Sequence, residues 1–188
     1  MKYSDPYEAA GRPSLITLRR PTSTDGPAVH TLIAHCPPLD QNSMYCNLLQ
    51  CTHWADTCVL AEREGGRAVG FVSGYLPPDR EATLFIWQVA VAAEARGTGL
   101  ARRMLESLLE RDLCACVRFL ETTITDDNAA SWGLFRAFAR RRNAHLMRST
   151  LFDRELHFGG GHATEALVRI GPLAAAESVA AMYARKTA

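Results

Sequence analysis

The chain has 188 residues, of which 47% are hydrophobic and 22% charged, a composition typical of a globular protein with a buried core. Its 21 lysines and arginines are balanced by 20 aspartates and glutamates, and a formal net charge of +1 argues against a nucleic acid or an anionic membrane as its partner. The six cysteines include no C-x-x-C pair, and no apolar run reaches the roughly 18 residues of a membrane span, so we expect reduced thiols, no metal and a cytoplasmic protein.

The first part of the chain predicts one short strand and two helices. Residues 1–14 lack the apolar stretch of a signal peptide and are expected to be a disordered lead-in, and a strand follows at 15–20. Thr24 is a candidate N-cap, with Pro27 in the first turn of a helix that should end before Pro37. A second helix is expected after the proline pair, with one face formed by Tyr45, Leu48 and Leu49.

The middle of the chain predicts a three-strand meander. Residues 57–62 and 68–76 flank a Glu-Gly-Gly turn and should form a hairpin. The third strand, 83–91, is apolar almost throughout, so both of its faces are expected to be buried, as in a central strand.

Helices and strands then alternate. The expected elements are a helix at 100–113, a strand at 117–124, a helix at 129–142 and a strand at 145–152. After residue 152 come the glycine-rich loop FGGGH and the stretch VRIGPLAAAESVAAMYARK, to which we assign no strand from the sequence. Because residues 83–124 form a strand–helix–strand crossover, their two strands should be parallel. The expected fold is α+β, a mixed and mostly antiparallel sheet flanked by helices over residues 15–172, with a helical tail at 173–188.

The most informative segment is the turn that follows strand 83–91, Arg96-Gly97-Thr98-Gly99-Leu100-Ala101. Its two glycines permit positive φ angles and a close approach of the backbone to a ligand. Free N–H groups at the start of the next helix, its dipole and nearby arginines suit a diphosphate. The turn lacks the G-x-x-x-x-G-K-[ST] pattern that binds ATP and the full G-x-G-x-x-G of a dinucleotide fold. A bare glycine turn can also be a simple connection.

This segment resembles motif A of the GNAT superfamily of N-acetyltransferases, R/Q-x-x-G-x-G/A, and the strand 117–124 with the following SWGLFRAF helix resembles motif B. The resemblance implies a sheet whose parallel pair is splayed at a bulge near residues 89–91, where a backbone N–H would stabilise the oxyanion. It also implies acetyl-CoA as co-substrate, direct transfer in a ternary complex without a covalent acyl-enzyme, and no metal. The residues that it implies for cofactor binding are Val89, Ala90, Val91, Arg96, Gly97, Thr98, Gly99, Leu100, Ala101, Asn128 and Phe135.

A closer resemblance covers roughly residues 15–170. The chain is similar to the diaminobutyrate acetyltransferase family of bacterial ectoine synthesis in the segments PPLDQNSMYCNLLQCTHWADT, FVSGYLPPD, LFIWQVAV, ETTITDDNAASWGLF and HFGGGH. That family acetylates the side-chain amine of L-2,4-diaminobutyrate. The resemblance therefore implies N4-acetyl-2,4-diaminobutyrate as the product and a role in osmoadaptation.

An amine acceptor must lose a proton before or during attack, so a base or a water chain is required. On the resemblance, the side chains expected to contact the substrate are Asp40, Asn42, Ser43, Tyr45, Trp87 and His162. Asp40 and Tyr45 are also catalytic candidates, although Asp40 could simply cap a helix and Tyr45 could pack in the core. Trp87 could orient the substrate through its indole N–H or only fill the core.

Two further catalytic candidates are Glu121 and His162. Glu121 lies in an apolar strand, where it could act as a base through water or pair with an arginine. The loop that carries His162 could fold over the acceptor amine, where the histidine could exchange a proton, or it could be a flexible surface loop. Many GNAT proteins have a tyrosine acid where this chain has Phe135, so the acid must come from elsewhere or the thiolate leaves unaided.

Three functions stay open from the sequence, because one fold hosts many substrates. The first is acetylation of diaminobutyrate. The second is acetylation of another small amine such as a polyamine, and the third is a non-catalytic acyl-CoA sensor. The long apolar strands also make a homodimer an expectation.

Overall fold

A computed structural model describes residues 15–174 and contains one seven-stranded sheet in that range. The strands are β1 (Ile16–Arg19), β2 (Val59–Arg63), β3 (Arg67–Tyr75), β4 (Thr83–Val91), β5 (Phe119–Ile124), β6 (His145–Phe152) and β7 (Glu165–Gly171). Their order in the sheet is β1-β2-β3-β4-β5-β7-β6. All neighbours are antiparallel except β4 and β5, which are parallel as predicted. The predicted lead-in at 1–14 and nearly all of the predicted helical tail lie outside the described residues.

The α-helices of this part of the chain are α1 (Gly26–Ala34), α2 (Met44–Gln50), α3 (Leu100–Leu109), α4 (Ala129–Arg141) and α5 (Arg154–Phe158). Two of them are shorter than predicted, because single 3-10 turns take over at their ends. Ser23–Asp25 form such a turn before α1, and Asp112–Cys114 form another after α3. No helix among the described residues is long and apolar enough to cross a bilayer.

The core lies where α1 and α3 pack on the central strands. The apolar face of α3 is buried as its periodicity predicted, through Leu100, Met104, Leu105, Leu108 and Leu109. The approach is close at Gly70 of β3, where an added Cβ would lie 3.0 Å from the sulfur of Met104. Burial of each such leucine or methionine stabilises the fold by about 1.5–3 kcal/mol, so this contact holds the glycine turn that precedes α3 against the sheet.

The sequence missed β7 and the environment of α2. Strand β7 follows a glycine-rich loop in the sequence. It lies between β5 and β6 and buries alternate residues, Ala166, Val168 and Ile170.

The predicted apolar face of α2 is wrong, because Tyr45 is 69% exposed while Asn47 and Gln50 are buried. Asn47 Nδ2 donates to Gln50 Oε1 at 2.9 Å, whereas Gln50 Nε2 is buried without a hydrogen-bond partner among the described residues.

Candidate active site

The parallel strands β4 and β5 separate halfway along their length. Their pairing ends at Ile86 and Thr122, after which β4 continues beside β3 and β5 beside β7. The register of β4 against β3 shifts at Trp87, so the bulge lies a few residues earlier than the predicted 89–91. The expectation that both faces of β4 are buried is also wrong at this point, because Trp87 is 41% exposed. The splayed strands leave peptide groups that an extended ligand can bind.

A cleft of about 530 Å³ lies beside the splayed strands. Its walls come from β4, the glycine turn, α3, α4 and the segment Cys36–Leu39. The predicted cofactor residues that line it are Val89, Val91, Arg96, Gly97, Gly99, Leu100, Ala101 and Asn128. The other three predicted residues do not line this cleft: Ala90 is fully buried, the Thr98 hydroxyl donates to the Ala95 carbonyl at 2.8 Å, and Phe135 lines a neighbouring cavity.

The glycine turn has the geometry that its sequence predicted. Gly97 and Gly99 have φ angles of 75° and 78°, in the left-handed region where a side chain is strained. Gly99 is the N-cap of α3, and its carbonyl accepts the first helical hydrogen bond, from Arg103 N at 3.1 Å. The N–H groups of the first turn therefore lack helical partners and face the cleft with the positive end of the helix dipole. This arrangement suits a diphosphate.

A smaller and more polar cavity of about 290 Å³ adjoins the cleft. Residues that line both are Pro38, Leu39, Val89, Asn128 and Ser131, so the two spaces meet. Of the predicted substrate contacts, Asp40, Trp87 and His162 line this acceptor cavity, whereas Asn42, Ser43 and Tyr45 do not. A ligand that extends from the cleft into this cavity would therefore lie near three of the residues predicted to contact the substrate, Asp40, Trp87 and His162.

His162 faces two carboxylates across the acceptor cavity. Its Nε2 lies 3.9 Å from Asp40 Oδ2 and 3.9 Å from Glu165 Oε1. Its Nδ1 lies 2.7 Å from the Ala163 carbonyl oxygen, and because a carbonyl only accepts, Nδ1 carries the proton. The Nε2 of a neutral His162 is then the basic nitrogen and is directed at the cavity. The ring of Phe158 packs on His162, with centroids 4.7 Å apart, and fixes its orientation.

Glu165 is a site residue that the sequence reasoning missed. It is the first residue of β7, its side chain is 18% exposed, and its Oε2 is buried without a hydrogen-bond partner among the described residues. Burial raises the pKa of this carboxyl above its usual range. A carboxyl group that lies in a cavity and has a raised pKa is a candidate for acid–base catalysis. The alternation of EALVRIG was the available signal, since it predicts a strand that begins at Glu165.

Gln88 holds the acceptor loop in place, and the polar atoms of its buried side chain are hydrogen-bonded. Its Nε2 donates to the Asp40 carbonyl at 2.7 Å, and its Oε1 accepts from Asn42 Nδ2 at 2.8 Å. Substrate contact was predicted for Asn42, and in the structure its side-chain amide donates to Gln88. Ser43 instead caps α2 and accepts from Cys46 N at 3.1 Å.

Aromatic side chains line the entrance and the interior of the acceptor cavity. Trp87 packs edge to face against Trp54 at 6.4 Å between ring centroids, beside the cavity rather than in the core. Phe135, which replaces the tyrosine acid of many GNAT proteins, is buried in the cavity wall. A phenyl ring cannot donate a proton, so this position supplies shape and not acid catalysis.

Glu121 lies outside both spaces. It is 1% exposed, and its two carboxylate oxygens bind Arg80 and Arg169. The sequence left Glu121 open between a base and an ion-pair partner, and in the structure an arginine pairs with each of its carboxylate oxygens. The guanidinium of Arg169 also lies 3.9 Å from the centroid of the Phe119 ring, which completes the cluster.

The Glu121→Gln substitution should therefore affect stability and spare catalysis. It leaves two half-buried guanidinium groups without their counter-charge, which we expect to cost about 2 kcal/mol. Thermal unfolding should then start about 4–8 °C lower, while kcat and its pH dependence at 25 °C should stay within about twofold of the parent. Glu81→Gln, at an exposed position, is the control. An unchanged melting temperature with a large loss of kcat would restore Glu121 as a base.

Among residues 15–174, no group of three or more histidines, cysteines, aspartates or glutamates is placed to hold a metal ion.

Known proteins show the same combination of sequence and fold. The chain matches the model of the acetyltransferase (GNAT) family over residues 27–139. It is 49% identical to the L-2,4-diaminobutyric acid acetyltransferase of Methylotuvimicrobium alcaliphilum, covering 87% of this chain and 95% of that protein. The counterpart of the same name in Halomonas elongata is 50% identical, over 85% of this chain and 82% of that protein.

A solved structure extends this similarity to three dimensions. It is the diaminobutyrate acetyltransferase EctA from Paenibacillus lautus in complex with its substrate L-2,4-diaminobutyric acid and coenzyme A. Its TM-score against this chain is 0.80 at 39% identity, covering 85% of this chain and 96% of that one.

Proposed function

The chain belongs to the GNAT family of acetyltransferases and, within it, to the L-2,4-diaminobutyric acid acetyltransferases, and from this premise we propose that it acetylates the 4-amino group of L-2,4-diaminobutyrate with acetyl-CoA. The product is N4-acetyl-2,4-diaminobutyrate, an intermediate of ectoine synthesis. The observation that carries the proposal is the meeting of two spaces, a cleft with a diphosphate-binding turn and a cavity with two carboxylates that attract a cationic amine.

The cofactor would lie in the cleft with its diphosphate on the turn at residues 96–99 and its pantetheine arm between the splayed strands. Val89 lines both spaces, so the thioester carbonyl would reach the acceptor cavity near this residue. A main-chain N–H of the splayed part of β4 would then donate to the oxyanion that forms during attack.

The amine arrives as an ammonium ion and must be deprotonated. Asp40 and Glu165 give the acceptor cavity its negative charge, and the raised pKa of Glu165 brings its proton affinity closer to that of a general base near neutral pH. Glu165 would accept the proton that the ammonium group loses. His162 Nε2, which lies 3.9 Å from Glu165 Oε1, would then accept this proton from Glu165. Asp40, with a side chain that is 84% exposed, would attract the substrate at the cavity mouth.

Acetyl transfer then proceeds without a covalent enzyme intermediate. The free amine attacks the thioester carbonyl carbon, a C–N bond forms, and the tetrahedral intermediate expels the CoA thiolate as the C–S bond breaks. The attacking nitrogen carries one proton more than the amide product, and it gives this proton up to solvent. Phe135 cannot act as an acid, so the thiolate leaves without protonation, which is possible because a thiolate is a weak base. Solvent then protonates it.

Product analysis tests the function. Acetyl-CoA and L-2,4-diaminobutyrate should give a singly acetylated product by mass spectrometry, with the acetyl group on N4 by NMR. We expect kcat/KM at least about tenfold higher than for 1,3-diaminopropane, which lacks only the carboxylate, because a site built around a polar group rejects analogues without it. Equal or faster reaction of the diamine would favour a polyamine enzyme. Tight CoA binding without any acetylated product would favour a sensor.

We further propose a cytoplasmic homodimer that serves osmoadaptation. All six cysteines are free, which suits a reducing compartment. Large apolar side chains remain exposed near the acceptor entrance and on the outer strands, including Trp54, Trp87 and Met147, and a partner subunit could cover them. Light scattering coupled to size exclusion would report the mass of the assembly.

A further inference from the structure

A further cavity, of about 400 Å³, lies between α4 and β6. We call it the indole pocket, and the residues that line it are Asp126, Ala129, Trp132, Gly133, Arg136 and Arg148. Gly133 lines both this pocket and the cofactor cleft, so the two spaces meet on the surface of α4. An added Cβ at Gly133 would meet no atom within 4 Å outside its own stretch of helix, so the surface of α4 is uncovered at this residue.

Two arginines flank the indole of Trp132. The central guanidinium carbon lies 5.0 Å from the ring centroid for Arg136 and 5.4 Å for Arg148. The ring itself is buried, and its Nε1–H donates to the Thr125 carbonyl at 3.1 Å. A fixed aromatic surface thus holds two cationic side chains close to the pocket, with less conformational entropy to lose when they bind a ligand.

The charges of the pocket do not cancel. Arg148 pairs with Asp126, but no carboxylate in the described chain lies within salt-bridge distance of Arg136. One positive charge is therefore left over at this end of the cleft. An uncompensated guanidinium beside a ligand cleft favours an anion, and its planar donors match a phosphate better than a lysine would.

We propose that Arg136 binds the 3′-phosphate of acetyl-CoA, and that the indole pocket receives this end of the cofactor. The inference rests on the proposed function because it requires CoA in the cleft. The diphosphate is assigned to the turn before α3, which forms one wall of the cleft, and α4 forms another. The 3′-phosphate is the remaining anionic group of the cofactor. Of the two arginines that line the indole pocket, Arg136 is the one without a carboxylate partner among the described residues.

Two ligands and two variants test the assignment. Calorimetry on the purified protein should show CoA binding about 10- to 100-fold tighter than 3′-dephospho-CoA, the range for hydrogen bonds to a charged group. Arg136→Gln should bind both ligands with the affinity that the parent has for 3′-dephospho-CoA. Arg140→Gln, on an exposed arginine one turn further along α4, should keep the full preference for CoA.

Three outcomes would overturn the inference: equal affinities of the parent for the two ligands, an undiminished preference in Arg136→Gln, or an equal loss of both ligands in that variant. A role of Arg136 only in shielding the indole predicts the second of these, because cation–π packing does not depend on the ligand's 3′-phosphate. Failure of the proposed function is separate. It would be seen as no acetylated diaminobutyrate from a protein that still distinguishes the two ligands.

Discussion

The Gly99→Glu substitution is expected to remove detectable binding of CoA, a loss of more than about 100-fold in affinity. Gly99 has φ 78° and caps α3, so its replacement places a side chain at the point where the free N–H groups of the helix face the cleft. A left-handed conformation costs an L-residue about 1–2 kcal/mol, and the carboxylate adds repulsion against the diphosphate while competing for the same N–H groups. Isothermal titration calorimetry with CoA measures the effect.

A matched control separates ligand binding from backbone strain. Gly65 in the β2–β3 turn has φ 92°, and an added Cβ there would meet no atom within 4 Å. Gly65→Glu therefore imposes a similar conformational cost and the same charge far from the cleft. It should lower the melting temperature about as much as Gly99→Glu and leave CoA affinity unchanged. If Gly99→Glu retained normal CoA affinity, the diphosphate would have to bind elsewhere.

Glu165→Gln should lower kcat by about 10²- to 10³-fold, within the usual contribution of a general base. The substitution keeps the size of the side chain and removes its proton affinity. Since the base must be ionised, kcat/KM of the parent should fall as pH falls through the raised pKa of Glu165, above the ordinary glutamate value of about 4.3. The variant has no carboxyl to titrate and should lose this limb of the pH profile.

Stability gives an independent check on this variant. A carboxyl whose pKa is raised in the folded state is costly to ionise there, so it opposes folding at pH values above the unfolded pKa. Glu165→Gln should therefore melt at the same temperature as the parent or slightly higher at neutral pH. Glu155→Gln, on the exposed surface of α5, should change neither kcat nor the pH profile. A tenfold or smaller loss of kcat with an unchanged acidic limb would assign the proton to another group.

Local patterns account for the parts of the molecule that the sequence predicted well. The meander, the parallel crossover and the bounds of β4 and β6 follow from hydrophobic periods within each segment. The glycine turn was predictable because positive φ angles and a free helix N-terminus are properties of neighbouring residues. Asp40, Trp87 and His162 line one cavity in the structure, and their contact with the substrate stays a prediction.

Contacts between residues that are far apart in the sequence could be identified only in the folded structure. Glu165 enters the cavity because β7 inserts between β5 and β6, and Gln88 clamps the Asp40 loop across 48 residues of sequence. The same holds for Glu121, whose two arginine partners come from a loop and from β7.

By itself the sequence determined the class of fold, the glycine turn and the family resemblance, since each depends on contiguous residues. The tertiary structure decided which carboxylate stands free in the cavity and which is neutralised by arginines. The physical reason is that the energy of a buried charge depends on the partners that distant segments bring to it, and a linear pattern does not contain those distances.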